Sequence, residues 1–210
     1  MLEELSKYMG IGRVKAAALI NAGAQTREDL KLKVYAGMLP KSTRAFIKYN
    51  PLEKIPRVTI DRFNRKIKQI SLRIGVHAEI LGSYARGAKE SSDIDILIVG
   101  TVLEYKKFIE HIKPVLYHDS NEISNGIIKL NREFVKIDLF RCNPRHIVPY
   151  RLYLTGSGLF NIRMRAQAKR MGFVLNQKGL FKNKKIIPLN TERDYFNKLS
   201  MLYVEPSKRF

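Results

Sequence analysis

The sequence predicts an α+β fold in which a mixed sheet with helices against it lies between a small helical module and a small α/β subdomain. Three observations predict it. Residues 57–150 set one long amphipathic helix before a series of short apolar strands. Residues 1–56 carry helix patterns broken by glycines. Residues 151–210 return to a helix, then short strands, then a last helix. A chain of 210 residues can bury one sizeable core and still carry an appended module.

The elements follow in order. "LEELSKYM" is a short helix pattern, "GIG" interrupts it, and "RVKAAALINAG" is a second helix with a glycine stop. Two helices joined by a tight turn containing Gly10 and Gly12 make a helix-hairpin-helix unit. Thr26 is the expected N-cap of a third helix, with Asp29 three residues on. "NPLEKIPR", with Pro51 and Pro56, is the way out of this module. In "TIDRFNRKIKQISLRIG", Ile60, Phe63, Ile67, Ile70 and Ile74 fall near one helix face. Strands are expected at His77–Leu81, Asp93–Val99, Val115–His118, Gly126–Leu130 and Phe134–Phe140, with a helix over Thr101–Ile112. "GSGLFNIRMRAQAKRMGF" is a helix stopping at Gly172, with Phe160, Met164, Ala168 and Met171 as its apolar stripe. Short strands cover "FVLNQKGLFKNKKIIPLN". A last helix is capped by Thr191 and expected to break near Pro206.

Charge narrows the partners. The formal net charge is +20, from 39 Lys+Arg against 19 Asp+Glu. Such a surface seeks a polyanion, nucleic acid before an anionic membrane. The apolar run Ile94–Val99 is far short of the ~18 residues of a membrane span, and "MLEELSKYMG" lacks the apolar stretch of a secretory signal. One cysteine, Cys142, excludes an internal disulfide and a cysteine zinc cluster and fits a reducing intracellular compartment. It is expected as a small buried filler. His77, His111, His118 and His146 show no ligand spacing.

The chemistry concentrates in "GSYARGAKESSDIDILIV". Strand alternation puts Asp93 and Asp95 on one face and Ile94, Ile96 and Ile98 in the core. Two adjacent carboxylates raise each other's pKa unless a cation lies between them, and oxygen ligands suit a hard ion such as Mg²⁺. On its own this pattern is more often two solvated acids. The preceding "GSYARG" shifts the balance: Gly82 permits close backbone approach, Ser83 offers a hydroxyl and N–H where a short helix begins, and Arg86 reaches the same anion. A phosphate cradle beside paired carboxylates is what a metal-bound nucleoside triphosphate needs. In "FVKIDLF", Val135, Ile137 and Leu139 share one face, so Asp138 faces the other way with Lys136 and Phe140. Asp138 is the candidate third carboxylate that could complete a two-metal site.

These segments, followed by "LYLTGSGLFNIRMRAQAKRMGF", resemble the X-family DNA polymerases, the DNA polymerase beta type. The hairpin "YMGIGRVKAAALINAGAQTREDL" resembles that family's second hairpin motif, "TERDYFNKLSMLYVEPSKR" its chain end, and "LNQKGLFKNKKIIPL" the reduced enzymes of large DNA viruses. The resemblance implies a nucleotidyltransferase-type palm and a DNA-directed polymerase filling short gaps in repair. It implies that Asp93 and Asp95 bridge two Mg²⁺ ions, with Mn²⁺ as a substitute, and that Asp138 binds the catalytic one beside the primer 3′-hydroxyl. Gly82, Ser83 and Arg86 then contact the triphosphate of a dNTP, Tyr153 and Gly156 its sugar, and Asn161 and Arg165 the nucleotide and template. Gly10, Ile11, Gly12 and Lys15 contact a DNA phosphate, with a monovalent cation at the hairpin. The implied partners are gapped or primer-template DNA and a ligase acting on the product, with the enzyme a monomer and no membrane involved.

The chain departs from the family at several places. Ala85 stands where polymerase beta has a further arginine, which implies weaker triphosphate binding. Leu154 replaces a phenylalanine of the sugar-facing segment, which bears on ribonucleotide exclusion. Gly158 replaces an acidic residue, and Lys136 and Phe140 replace arginines beside the third aspartate; each implies lower fidelity. The family's N-terminal lyase domain has no counterpart in the sequence, so no deoxyribose-phosphate lyase activity is expected. The alternatives are a template-independent terminal nucleotidyltransferase and a noncatalytic DNA-binding module.

Overall fold

A computed structural model describes residues 2–6, 11–26, 28–32, 35 and 37–210. Gly10, expected in the hairpin turn, lies outside the described residues.

The N-terminal region contains α1 (Leu2–Ser6), α2 (Arg13–Asn21) and α3 (Lys41–Tyr49). Leu5, Ile11, Ala16, Leu19, Leu30 and Ile47 meet in one apolar cluster. Gly12 is the N-cap of α2, and Ile11 turns its side chain inward, 2% exposed. The expected third helix is only a 3-10 turn, Asp29–Lys31. Its start is as expected: the Thr26 N–H donates to Asp29 Oδ2 at 2.7 Å and the Asp29 N–H to Thr26 Oγ1 at 3.3 Å. The turn does not propagate because Leu32 goes extended, with ψ 143°. Helix α3 was not expected. It begins after Pro40 and ends at Asn50 in the left-handed region (φ 45°), an ordinary asparagine stop.

The central region runs β1 (Ile55–Pro56), α4 (Arg57–Ile74), β2 (His77–Ile80), α5 (Gly82–Ala85), β3 (Glu90–Ser91), β4 (Ile94–Val99), α6 (Val102–Ile112), β5 (Val115–Asp119), β6 (Ile123–Leu130) and β7 (Glu133–Cys142). The main sheet has the order β2-β4-β7-β6-β5, and β4–β7 is its parallel pair. Helices α4 and α6 bury Ile60, Phe63, Ile67, Ile70, Tyr105 and Phe108 against Ile94, Ile96, Ile98, Val135, Ile137 and Leu139. Each such side chain stabilises by about 1.5–3 kcal/mol relative to exposure. This packing occupies one face of the sheet and turns the alternate residues of β4 and β7 to the other. Thr101 starts α6 with a reciprocal capping box to Glu104.

The C-terminal region comprises α7 (Ile147–Thr155), α8 (Gly158–Arg170), a three-stranded sheet of β8 (Val174–Asn176), β9 (Gly179–Lys182) and β10 (Lys185–Ile187), and α9 (Glu192–Lys198). Helix α7 was not expected and runs unbroken across residues 150 and 151. Its Pro149 lies in the first turn, where a helix needs no N–H. Phe160, Met164 and Ala168 pack with Leu180, Tyr195 and Phe196, as the stripe on α8 requires. Helix α9 ends well before Pro206. The Met201 N–H donates to the Phe196 carbonyl at 2.9 Å, and Ser200 is left-handed at φ 53°. These close the helix just after its buried C-cap residue, Leu199. Pro206 instead starts a separate 3-10 turn. A fourth cluster, Leu81, Leu97, Cys142, Tyr150 and Leu154, joins the main sheet to α7. Cys142 is buried there, and burial pushes its thiol up to about 12, so it is an inert filler.

Candidate active site

The sheet itself assembles the carboxylates. Asp95 and Asp138 are register partners on the parallel strands β4 and β7, neighbours across a strand spacing of about 4.8 Å. Asp93 immediately precedes β4. All three lie on the face away from the main core. Asp95 is pushed up to about 7, first by burial and then by Asp93 and Asp138, with Arg86 opposing. Asp138 is also raised, by burial before all else; the Asn125 hydrogen bond and Lys136 pull it back down. Among the described residues no group of three His, Cys, Asp or Glu closes onto a common ion. The three acids are electrostatic neighbours.

Gly82 is what lets the next segment lie over Asp95. Its φ is +62°, and a Cβ there would overlap Oδ2 of Asp95. The Leu81 N–H donates to the Asp95 carbonyl at 2.9 Å, tying loop to strand. Helix α4 pins the other side. Arg57 donates to the carbonyls of Tyr84 and Ala88 at 2.9 and 3.3 Å, with its guanidinium 4.3 Å from the centre of the Tyr84 ring. The Tyr84 hydroxyl donates to Asp61 at 2.8 Å. Ser83 donates to the Ser91 hydroxyl at 2.7 Å, and Arg86 donates through Nη1 to the Thr155 carbonyl at 2.6 Å. Arg86 thus links the carboxylate loop to the end of α7. Burial lowers its pKa, while Asp95 and Asp93 act the other way.

The C-terminal region supplies the opposite wall. Gly156, at φ +68°, ends α7, and the Gly156–Ser157 peptide bond is cis. Ser157 caps α8 by accepting from the Phe160 N–H at 3.2 Å. Asn161 donates to the Tyr153 carbonyl at 2.7 Å, and Arg165 lies 5.3 Å from the Tyr153 ring centre. An open cleft of about 530 Å³ separates the two walls. Gly82, Ser83, Arg86, Asp93 and Asp95 line it from one side, and Tyr153, Gly156, Asn161 and Arg165 from the other. Phe140, Leu154 and Gly158, three of the positions that depart from the family, line it too.

Two residues of this neighbourhood were not expected from sequence. Asn125 on β6 is the register partner of Asp138 and donates to its Oδ1 at 2.6 Å. Tyr117 sits at a register shift in β5, its ring 5.9 Å from Phe46 of α3. Its hydroxyl is pushed up to about 12, first by burial and then by Asp138 and Asp93. Of the four hairpin residues, Ile11, Gly12 and Lys15 are far along the chain from this cleft, around the start of α2.

A palm-like sheet with paired acids, a glycine-serine loop beside them and a helical wall opposite defines the nucleotidyltransferase class. Family models narrow this. The DNA polymerase beta palm matches residues 54–132, and the DNA polymerase beta thumb matches residues 150–210. Repair DNA polymerase X of African swine fever virus is 31% identical in the Pretoriuskop tick isolate, over 141 residues that span 61% of this chain and 79% of the viral one. The Malawi tick isolate gives 30% over the same spans. A crystal structure of Leishmania infantum polymerase beta, described as a ternary P/T complex, matches with a TM-score of 0.86 at 23% identity, covering 100% of this chain and 97% of that one. The chain belongs to the X family of DNA polymerases, of the polymerase beta type. No helix among the described residues is long and apolar enough to cross a membrane.

Proposed function

We propose that this chain is a DNA-directed DNA polymerase that fills short gaps in repair, transferring a nucleotide from a dNTP to a primer 3′-hydroxyl. The observation that carries the reading is the cleft. Two stretches of sequence some seventy residues apart meet across it, with the paired acids on one wall and Tyr153, Gly156, Asn161 and Arg165 on the other.

Asp93, Asp95 and Asp138 would hold the divalent ions. The donor set fits: it is all carboxylate oxygen, it is crowded enough to push Asp95 up to about 7, and Arg86 is the cation that opposes that shift. When bound, such ions neutralise phosphate charge and make the primer hydroxyl a better nucleophile. The protein's own groups do the rest. Ser83 and Arg86 grip the phosphates from the loop side. Arg86 presents a planar fork whose Nη1 is already fixed on Thr155, so little ordering is lost when phosphate arrives. Tyr153 and Gly156 bound the sugar, and Asn161, anchored on the Tyr153 carbonyl, and Arg165 face the nucleotide and template from α8. Asp138, the register partner of Asp95 on β7, is assigned the orientation of the primer hydroxyl. Most of the acceleration is positioning and charge complementarity.

Gly12 and Lys15, with Gly10 and Ile11, are proposed to hold a DNA phosphate without reading base sequence, in keeping with the +20 charge. The nick left after filling is a substrate for a DNA ligase. The test is incorporation of a single nucleotide into a gapped duplex, beside the same primer with no template. Templated incorporation supports the reading. Equal extension of the template-free primer would make the protein a terminal transferase instead.

A further inference from the structure

The rung of the main sheet that carries Asp95 and Asp138 holds two more polar side chains. His118, Asn125, Asp138 and Asp95 are successive register partners across β5, β6, β7 and β4. Partners on one rung share a face, so Asn125 stands on the acid face with Asp138 between it and Asp95. The Asn125 amide donates to Asp138 Oδ1 at 2.6 Å. Asn125 therefore takes hold of the carboxylate from the β6 side. Oδ2 is the oxygen this bond does not use, and Asp95 is the register partner on the other side, on β4. Burial and the Asp93 carboxylate act against a charged Asp138, and the Asn125 amide is a neutral donor that stabilises that charge without competing as a counter-ion.

The geometry points to Asn125 as a positioning residue for Asp138: it fixes the orientation of the third carboxylate so that one oxygen stays committed to the sheet and the other is presented to the metal-binding side. The inference rests on the polymerase reading above. Groups that hydrogen-bond to metal-ligating carboxylates set ligand orientation, and their removal typically costs 10–100-fold in metal affinity or activity. Asn125 is half-buried on β6, and Asp138 Oδ1 accepts its amide.

The experiment is a Mn²⁺ titration read by the EPR signal of the free ion. It uses the full chain on a gapped duplex with a dideoxy-terminated primer and the matching dNTP. Asn125→Leu should weaken Mn²⁺ binding by about 10–100-fold while gapped-duplex affinity stays within about two-fold. Asn125→Ala, which also removes the donor, should behave alike and serves if the leucine variant does not fold. Ser124→Ala, which loses a hydrogen bond to Asp119 on the opposite face, should lower the melting temperature and leave Mn²⁺ binding unchanged. Wild-type Mn²⁺ affinity in either folded Asn125 variant would overturn the inference. Failure of the wild-type protein itself to bind Mn²⁺ or fill a gap would instead overturn the polymerase reading on which it stands.

Discussion

Gly82 occupies the space into which the Asp95 carboxylate extends, so a side chain at residue 82 and the carboxylate at residue 95 cannot coexist in this geometry. The same glycine holds φ +62°, a region that L side chains rarely adopt. Gly82→Ala should therefore displace either the loop bearing Ser83 and Arg86 or the carboxylate itself. A misplacement of about 1 Å at a reacting centre costs on the order of 100-fold. Single-turnover incorporation should fall by at least about that factor while the circular dichroism of the sheet is kept.

Asp95 ties stability to pH. Its carboxyl is raised from 3.8 to about 7, with burial as the main cause. A raised carboxyl pKa means that the folded protein keeps a proton the unfolded chain has released. The contribution to stability is full below about pH 4 and is lost as pH rises towards 7, with a ceiling on the order of 4 kcal/mol. Asp95→Asn removes this dependence. Without divalent ions the variant should melt roughly 5 °C or more above wild type at pH 8 and level with it at pH 4. Coincident melting curves at pH 8 would contradict the burial argument.

Arg86 joins the two walls of the cleft, and its charge interacts with those of Asp95 and Asp93. Arg86→Ala should raise the dNTP concentration for half-maximal incorporation by about 10–100-fold, the worth of a charged hydrogen bond. Arg86→Lys should recover little of it, because an ammonium cannot hold the Thr155 carbonyl and a phosphate in the same fork. Titration of the rate with dNTP checks both.

The capping box at Thr101 stabilises α6, which packs on the sheet face opposite the acids. Thr101→Ala should cost about 1 kcal/mol, or about 2–4 °C in melting temperature, with no change in incorporation at 25 °C. A large loss of activity there would mean that the two faces of the sheet are not mechanically separate.

Much of the site was legible because its signals are local. The loop glycine, the serine and the arginine stand within five residues, the two acids lie two residues apart, and alternation alone turns Asp138 away from Val135, Ile137 and Leu139. Asn125 escaped because the expected strand began at Gly126, whereas β6 begins at Ile123. "ISNG" has the composition of a turn, and only pairing with β7 makes it strand, a non-local fact. Tyr117 escaped for a like reason: a register shift in β5 is invisible without its partner strand. Helix α7 was hidden by Pro149, harmless in a first turn; α3, as long as the expected α2, has ordinary boundary signals in Pro40 before it and Asn50 after it. Pro206 is a strong local stop signal, but α9 already closes at Lys198, where Leu199 buries its side chain, a non-local fact.

The most direct measurement of the central claim is Mg²⁺-dependent filling of a one-nucleotide gap by wild type and by Asp138→Ala, with gapped-duplex binding measured on the same preparations. The account predicts equal binding, templated incorporation by the wild type, and a loss of at least about 1000-fold in the variant, the scale on which transition-state electrostatics act. Equal incorporation by the two proteins, or none by either, would contradict it.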